Sequence, residues 1–164
     1  MTDLEYELME AEQFGIRCEL VGSLGTWETH PVPKHQTVIG IIRGTIRRSP
    51  GGGSDCACIH YADLSIRLPD GSRKRPDIAI FCREPDEQDT AVTLIPAAIV
   101  EVLSRGFEGK DVEIGAPFYL SQGVQDAILV DPDSGDVTHL RPGSERPLAS
   151  PAEIELACGC VVTV

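Results

Sequence analysis

The sequence predicts an α/β fold, an α+β sandwich with a mixed central sheet flanked by helices. Three observations carry that expectation. Apolar residues recur at helical spacing from Pro33 to Arg48, and the period changes to two from Cys56 onward. Ala127 to Val130 is apolar at every position, as suits a strand covered on both faces. The connection from Leu103 to Ala127 contains a helical stretch and is long enough for a right-handed parallel crossover.

The elements follow in order. Residues 1–13 read as a short amphipathic helix, frayed or flexible, and Cys18 to Val21 as a strand closed by a turn at Gly22 and Gly25. Pro33 suits a first helical turn, and Val38, Ile41, Ile42, Thr45 and Ile46 continue that helix to Arg48. Ser49 to Ser54 is a glycine-rich loop that ends it. Cys56 to Leu68 alternates and reads as one strand, Asp77 to Cys82 as a second and Ala97 to Leu103 as a third, with an acidic loop at 83–93. Lys110 to Gln122 reads as a helix interrupted by Pro117 and stopped by Gly123. Ala127 to Val130 and Val137 to Arg141 are strands, and Glu153 to Val164 is a last strand or hairpin.

The chain of 164 residues suits one domain spanning 1–164. A hydrophobic share of 41% rules out disorder for most of it. The net charge of −12 excludes a general nucleic-acid glue, because phosphate contacts need clustered Lys and Arg. Nucleic-acid work would need a local basic patch, a screening metal or a basic partner. No apolar run approaches the roughly 20 residues of a membrane span, and the acidic N-terminus is unlike a signal peptide. The expected compartment is the cytoplasm, where the six cysteines stay reduced.

The informative pair is Asp77, after Pro76, and Glu101. If the strands 77–82 and 97–103 pair antiparallel, a register with Phe81 opposite Ala97 also sets Asp77 opposite Glu101. Directly opposed residues point to the same face. Two carboxylates so placed repel, and a divalent cation such as magnesium or manganese is the usual resolution. The plainer alternative is that Asp77 caps the strand entry and Glu101 pairs with an arginine. Glu101 sits among Ala98, Ile99, Val100 and Val102, and burial of an acid without a partner is costly.

The stretches Arg75-Pro76-Asp77-Ile78-Ala79-Ile80 and Val100-Glu101-Val102-Leu103-Ser104 resemble the Uma-two family of putative restriction endonucleases, in the PD-(D/E)XK nuclease-like superfamily. The likeness continues through Lys110-Asp111, Tyr119 to Val124 and Ile128 to Pro132, and more loosely in Glu19-Leu20-Val21 and His35-Gln36. It implies a restriction-endonuclease-like fold, with Asp77 and Glu101 as ligands of Mg2+ or Mn2+, no organic cofactor, and DNA as partner. In such sites a lysine two residues after the second acid positions a water; here that residue is Leu103. Many members take a lysine from the next helix, four residues after the aspartate matching Asp111; here that is Gly115. Lys110 is the lysine nearest that place and is assigned as catalytic with Asp77 and Glu101; Lys74 and Arg75 are further candidates.

Other features have two readings each. Cys56-Ala57-Cys58-Ile59-His60 and Cys158-Gly159-Cys160 would supply thiolates for zinc if the last strand lay beside the first, or act as buried apolar residues. His30 and His35, near a helix start, would contact phosphate or simply cap. Glu108, Glu113 and Asp63 would add ligands or sit in solvent. Trp27 is a packing anchor or a base platform. Arg43, Arg47 and Arg48, with Arg67, Arg73, Lys74 and Arg75, would form a phosphate-binding strip or pair with acids.

Two functions from different classes are therefore expected. One is a metal-dependent nuclease. The other is a catalytically degenerate nuclease fold that serves as a protein-interaction module, motivated by Leu103 and Gly115. A homodimer is expected because Ala157 to Val164 is an apolar strand that would otherwise be an exposed edge.

Overall fold

The structure, a computed structural model, describes residues 2–14, 16–29, 32–104 and 115–164. Helix α1 (Asp3–Gln13) begins with a capping box in which Thr2 and Glu5 satisfy each other's backbone amides. It is followed by the hairpin of β1 (Ile16–Val21) and β2 (Leu24–Thr29), turned at Gly22 with φ +59°. Gly25 lies within β2 rather than ending the element, so this second strand is one the sequence reading lacked.

Helix α2 (Pro33–Arg43) presents His35, Ile39 and Ile42 at positions i, i+4 and i+7 to the interior. It stops at Gly44, short of the expected Arg48. Thr45 turns its hydroxyl to the Ile42 carbonyl and accepts from the Thr163 amide, so tertiary pairing takes over from the helix. Strand β3 (Arg47–Arg48) then pairs with β13 (Cys160–Thr163), which also pairs with β12 (Glu153–Glu155). The apolar C-terminal strand thus lies in the middle of a three-stranded sheet, and Val161, Val162 and Val164 are buried.

The stretch from Cys56 to Leu68 is not one strand. Cys58 (φ +53°) and Asp63 (φ +54°) adopt left-handed backbone and cut it into β4 (Ile59–Ala62) and β5 (Ile66–Arg67). Strand β5 joins β6 (Arg73–Lys74), which the sequence reading lacked, in a sheet ordered β2-β1-β6-β5.

The central sheet has the order β11-β10-β9-β8-β7-β4. Its middle strands are β7 (Ile78–Phe81), β8 (Ala98–Val102) and β9 (Asp126–Val130), buried throughout. Their β-branched residues and full burial suit a sheet covered on both faces. Strands β8 and β9 run parallel, joined by the crossover the sequence predicts, and β7 and β8 run antiparallel. Helix α3 (Ala116–Ser121) lies on that crossover; Pro117 stands in its first turn, where no helical donor is lost, so it does not break the described helix. Gly123, at φ +105°, ends it as expected. Strands β10 (Asp136–Arg141) and β11 (Ser144–Ala149) form an outer hairpin.

Alternation along the central strands makes two cores. Ile78, Ile80, Ala98, Val100 and Ile128 meet Ile39 and Ile42 of α2 and Ile154 and Val162 of the small sheet. Ala79, Phe81, Ile99, Ala127 and Leu129 meet Tyr119 of α3 and Ile66 and Leu68. The six cysteines do not all remain thiols: Cys56 pairs with Cys82 and Cys58 with Cys160, leaving Cys18 and Cys158 free. No described helix is long and apolar enough to cross a membrane.

Candidate functional site

The register of β7 and β8 sets Ile78 against Val100, Ala79 against Ile99 and Ile80 against Ala98. Continued one pair further it sets Asp77 against Glu101, the opposition the sequence predicts. Both carboxylates are buried, at the end of the strands. Pro76 precedes Asp77. Asp77 Oδ2 accepts the Val102 amide at 2.8 Å, completing the ladder with a side chain. Glu101 Oε2 accepts the Asp77 amide at 3.3 Å. The strand-capping role considered for Asp77 is therefore present in the geometry, alongside the juxtaposition of the two acids.

Five more side chains complete the cluster. His35, on the buried face of α2, places Nε2 3.1 Å from Asp77 Oδ1. Ser104 Oγ lies 3.3 Å from His35 Nδ1. A Ser104 hydroxyl donated to Nδ1 leaves the imidazole proton on Nε2, aimed at Asp77. Tyr119, fully buried, donates its hydroxyl to Glu101 Oε1 at 3.2 Å. The ammonium of Lys74 stands 5.2 Å from the centroid of the Tyr119 ring and bonds Glu19 Oε2 at 2.6 Å. Glu19 Oε1 also accepts the Arg75 amide. Strands β1, β6, β7 and β8 with helices α2 and α3 thus converge on one buried polar network.

The places of the other candidates differ. Lys110, Asp111, Glu108, Glu113 and His30 lie outside the described residues, as does the side chain of Trp27. Leu103 packs on the second core and Gly115 opens α3, so neither usual lysine position offers a charge. Asp63 is exposed and pairs with Arg75 at 3.0 Å, while its backbone amide donates to the Asp77 carbonyl at 3.3 Å. Of the arginines, Arg43 bonds His60, Arg47 pairs with Glu153, and Arg75 also pairs with Glu12. Burial and the Arg43 guanidinium hold the His60 imidazole below its usual range.

Sequence reasoning gave Lys74 and His35 too little weight. His35 carried a readable signal, its i, i+4, i+7 spacing with Ile39 and Ile42. Lys74 carried none within its two-residue strand, since only the fold brings Glu19 to it.

The crystal structure of a putative nuclease belonging to DUF820 from Anabaena variabilis superimposes with a TM-score of 0.61. The two share 22% identity over 84% of this chain and 80% of that one, a likeness that speaks for the nuclease fold. No curated protein matches the chain. The family model Uma2, described as "Putative restriction endonuclease", matches residues 4–157. That span takes in every residue of the buried network from Glu19 to Tyr119, and the chain accordingly belongs to the Uma2 family of putative restriction endonucleases.

Proposed function

We propose that the chain is a metal-dependent nuclease that hydrolyses phosphodiester bonds in DNA, with Asp77 and Glu101 as ligands of Mg2+ or Mn2+. The observation that carries this reading is the direct opposition of two buried carboxylates at the end of β7 and β8. The donor set fits the ion: carboxylate oxygens are hard ligands, suited to magnesium and manganese. Bound there, the cation would supply positive charge for a phosphodiester oxygen and an acidified water.

The chain's own residues do the rest. Tyr119 and the Val102 amide orient the two carboxylates through their hydrogen bonds. His35 holds Asp77 from the side of α2. Lys74 is a fixed, buried positive charge behind Tyr119, and its pairing with Glu19 keeps it in place. Lys110 is the proposed lysine that positions the attacking water, and a cytoplasmic location belongs to the same reading. A homodimer is proposed on the family likeness alone, because β13 is interior to the small sheet. Light scattering that gave 17.7 kDa, unchanged on dilution, would reject it.

The test is a panel of single-stranded, double-stranded and branched DNA with magnesium or manganese. Cleavage by the wild type that disappears in Glu101→Ala supports the proposal. A wild type that cleaves nothing at any pH, yet forms a stable complex with another protein, is instead the interaction module.

A further inference from the structure

Five of the six cysteines converge where the loop before β4, the exit of β7 and the β12–β13 turn meet. We propose that this cluster is a structural zinc site, with Cys56, Cys82, Cys158 and Cys160 as thiolate ligands once both disulfides are reduced. It is separate from the carboxylate network: Asp77 precedes β7 and Cys82 follows it, about 16 Å away at strand spacing. Its donors are soft sulfurs, which select zinc over magnesium.

Distances support the assignment. The sulfurs of Cys56, Cys158 and Cys160 lie within 4.8 Å of one another, and Cys160 Sγ is 3.5 Å from Cys56 Sγ. In a tetrahedral zinc thiolate with bonds of about 2.3 Å, ligand sulfurs stand about 3.8 Å apart. Small side-chain rotations therefore suffice for these three. Cys82, bonded to Cys56 and lining the same cavity as Cys158, is the fourth, and its side chain must turn farther than the other three. Cys58, bonded to Cys160, has its sulfur 3.7 Å from the Cys56 carbonyl, an acceptor for the thiol that reduction leaves there, so it remains a buried thiol.

The backbone holds these positions without help from sulfur–sulfur bonds. The Gly159 amide bonds the Leu156 carbonyl and the Leu156 amide bonds the Cys160 carbonyl, closing a tight turn around Cys158-Gly159-Cys160. Gly159 has φ +91°, which the turn requires. Ser54 links the two ligand segments: its hydroxyl donates to the Cys158 carbonyl and accepts the Cys56 amide. Ala57 bonds the Cys82 carbonyl at 2.9 Å and fixes the third segment. The two disulfides leave Cys158 as an odd thiol among paired sulfurs, whereas zinc engages it.

The chemistry balances. Each disulfide takes two electrons and two protons from a small dithiol, which closes to its own cyclic disulfide. Two such molecules return Cys56, Cys58, Cys82 and Cys160 to thiols. Zn2+ then replaces the protons of the four ligand thiols, and four protons leave to solvent.

The test uses the full chain expressed with zinc and purified under a dithiol reductant, with bound metal measured by plasma mass spectrometry. About one zinc per chain is expected, falling at least tenfold in Cys158→Ser and unchanged in Cys58→Ser and Cys18→Ser. Because Cys158→Ser alters a turn, cobalt is also substituted into the wild type. Thiolate-to-cobalt charge-transfer absorption is expected. A reduced wild type that retains no zinc, zinc that survives Cys158→Ser, loss of zinc in Cys58→Ser, or a cobalt spectrum without sulfur bands would each overturn the proposal.

Discussion

Lys74 and Glu19 form an ion pair at 2.6 Å with side chains only 1% and 3% exposed. Such a pair is worth little against an apolar substitute, but breaking it leaves a charge buried. Lys74→Met should therefore lower stability by about 3–5 kcal/mol. Adding Glu19→Leu should restore part of the loss, less the hydrogen bond from the Arg75 amide. Urea unfolding of the two variants decides; a loss under about 1 kcal/mol for Lys74→Met would place the pair effectively in solvent.

Asp77 has two duties that can be separated. Asp77→Asn keeps an oxygen for the Val102 amide but removes the carboxylate charge. Titration calorimetry with Mn2+ should show affinity at least about tenfold weaker, about 1.4 kcal/mol, with a melting temperature close to wild type. Asp77→Ala should lose both metal affinity and stability. Equal Mn2+ affinity in wild type and Asp77→Asn would leave Asp77 as a strand cap alone.

Asp126 should make stability depend on pH. Burial pushes its carboxyl up, but hydrogen bonds from His139, Arg141 and the Ala157 amide outweigh that, and the net position is below the usual carboxylate range. A depressed folded pKa stabilises the fold above the unfolded value of about 3.9, and that contribution is lost as pH falls through the folded pKa. The stability gap between wild type and Asp126→Asn should be constant at neutral pH and shrink below about pH 4. Urea midpoints measured across acid pH would show it; a gap that widened on acidification would contradict the sign.

Gly159 should tolerate no side chain. A Cβ there would collide with Ser54 Cβ and stand 2.6 Å from its Oγ, and φ is +91°. Gly159→Ala should cost about 1–3 kcal/mol from backbone strain, with the clash in addition. Adding Ser54→Gly should recover the clash and leave the strain. A thermal midpoint for Gly159→Ala equal to wild type would mean the turn relaxes freely.

The two acids were legible because their strands are short apolar runs punctuated by Pro76 and Pro96. With the side-chain period fixed at two, the expected pairing of Phe81 with Ala97 leaves Asp77 only one partner. Lys74 was illegible for the opposite reason. A lysine in a two-residue strand reads as surface, and its burial depends on Glu19, 55 residues earlier. The left-handed positions at Cys58 and Asp63 were equally hidden, since residues other than glycine do not announce that conformation. Arg47 and Arg48 continued a helical pattern and became a strand only because β13 arrived to pair with them. Long-range pairing, rather than local preference, separates what could be read from what could not.

Thr163 donates its amide to Thr45 across 118 residues of sequence. The same closure lays β12 and β13 on the core that holds Ile39, Ile42, Ile78 and Val100. Closing so long a loop costs little more free energy than a shorter one, because the entropy grows only with the logarithm of length. The time to fold is what suffers, since non-local strand pairing is slow. A ribosome that has not yet reached Ile154 therefore extrudes a chain whose α2 face and inner sheet lack their cover. Nascent chains of this protein should bind holdase chaperones until β12 and β13 emerge, and should release them within one cooperative step afterwards.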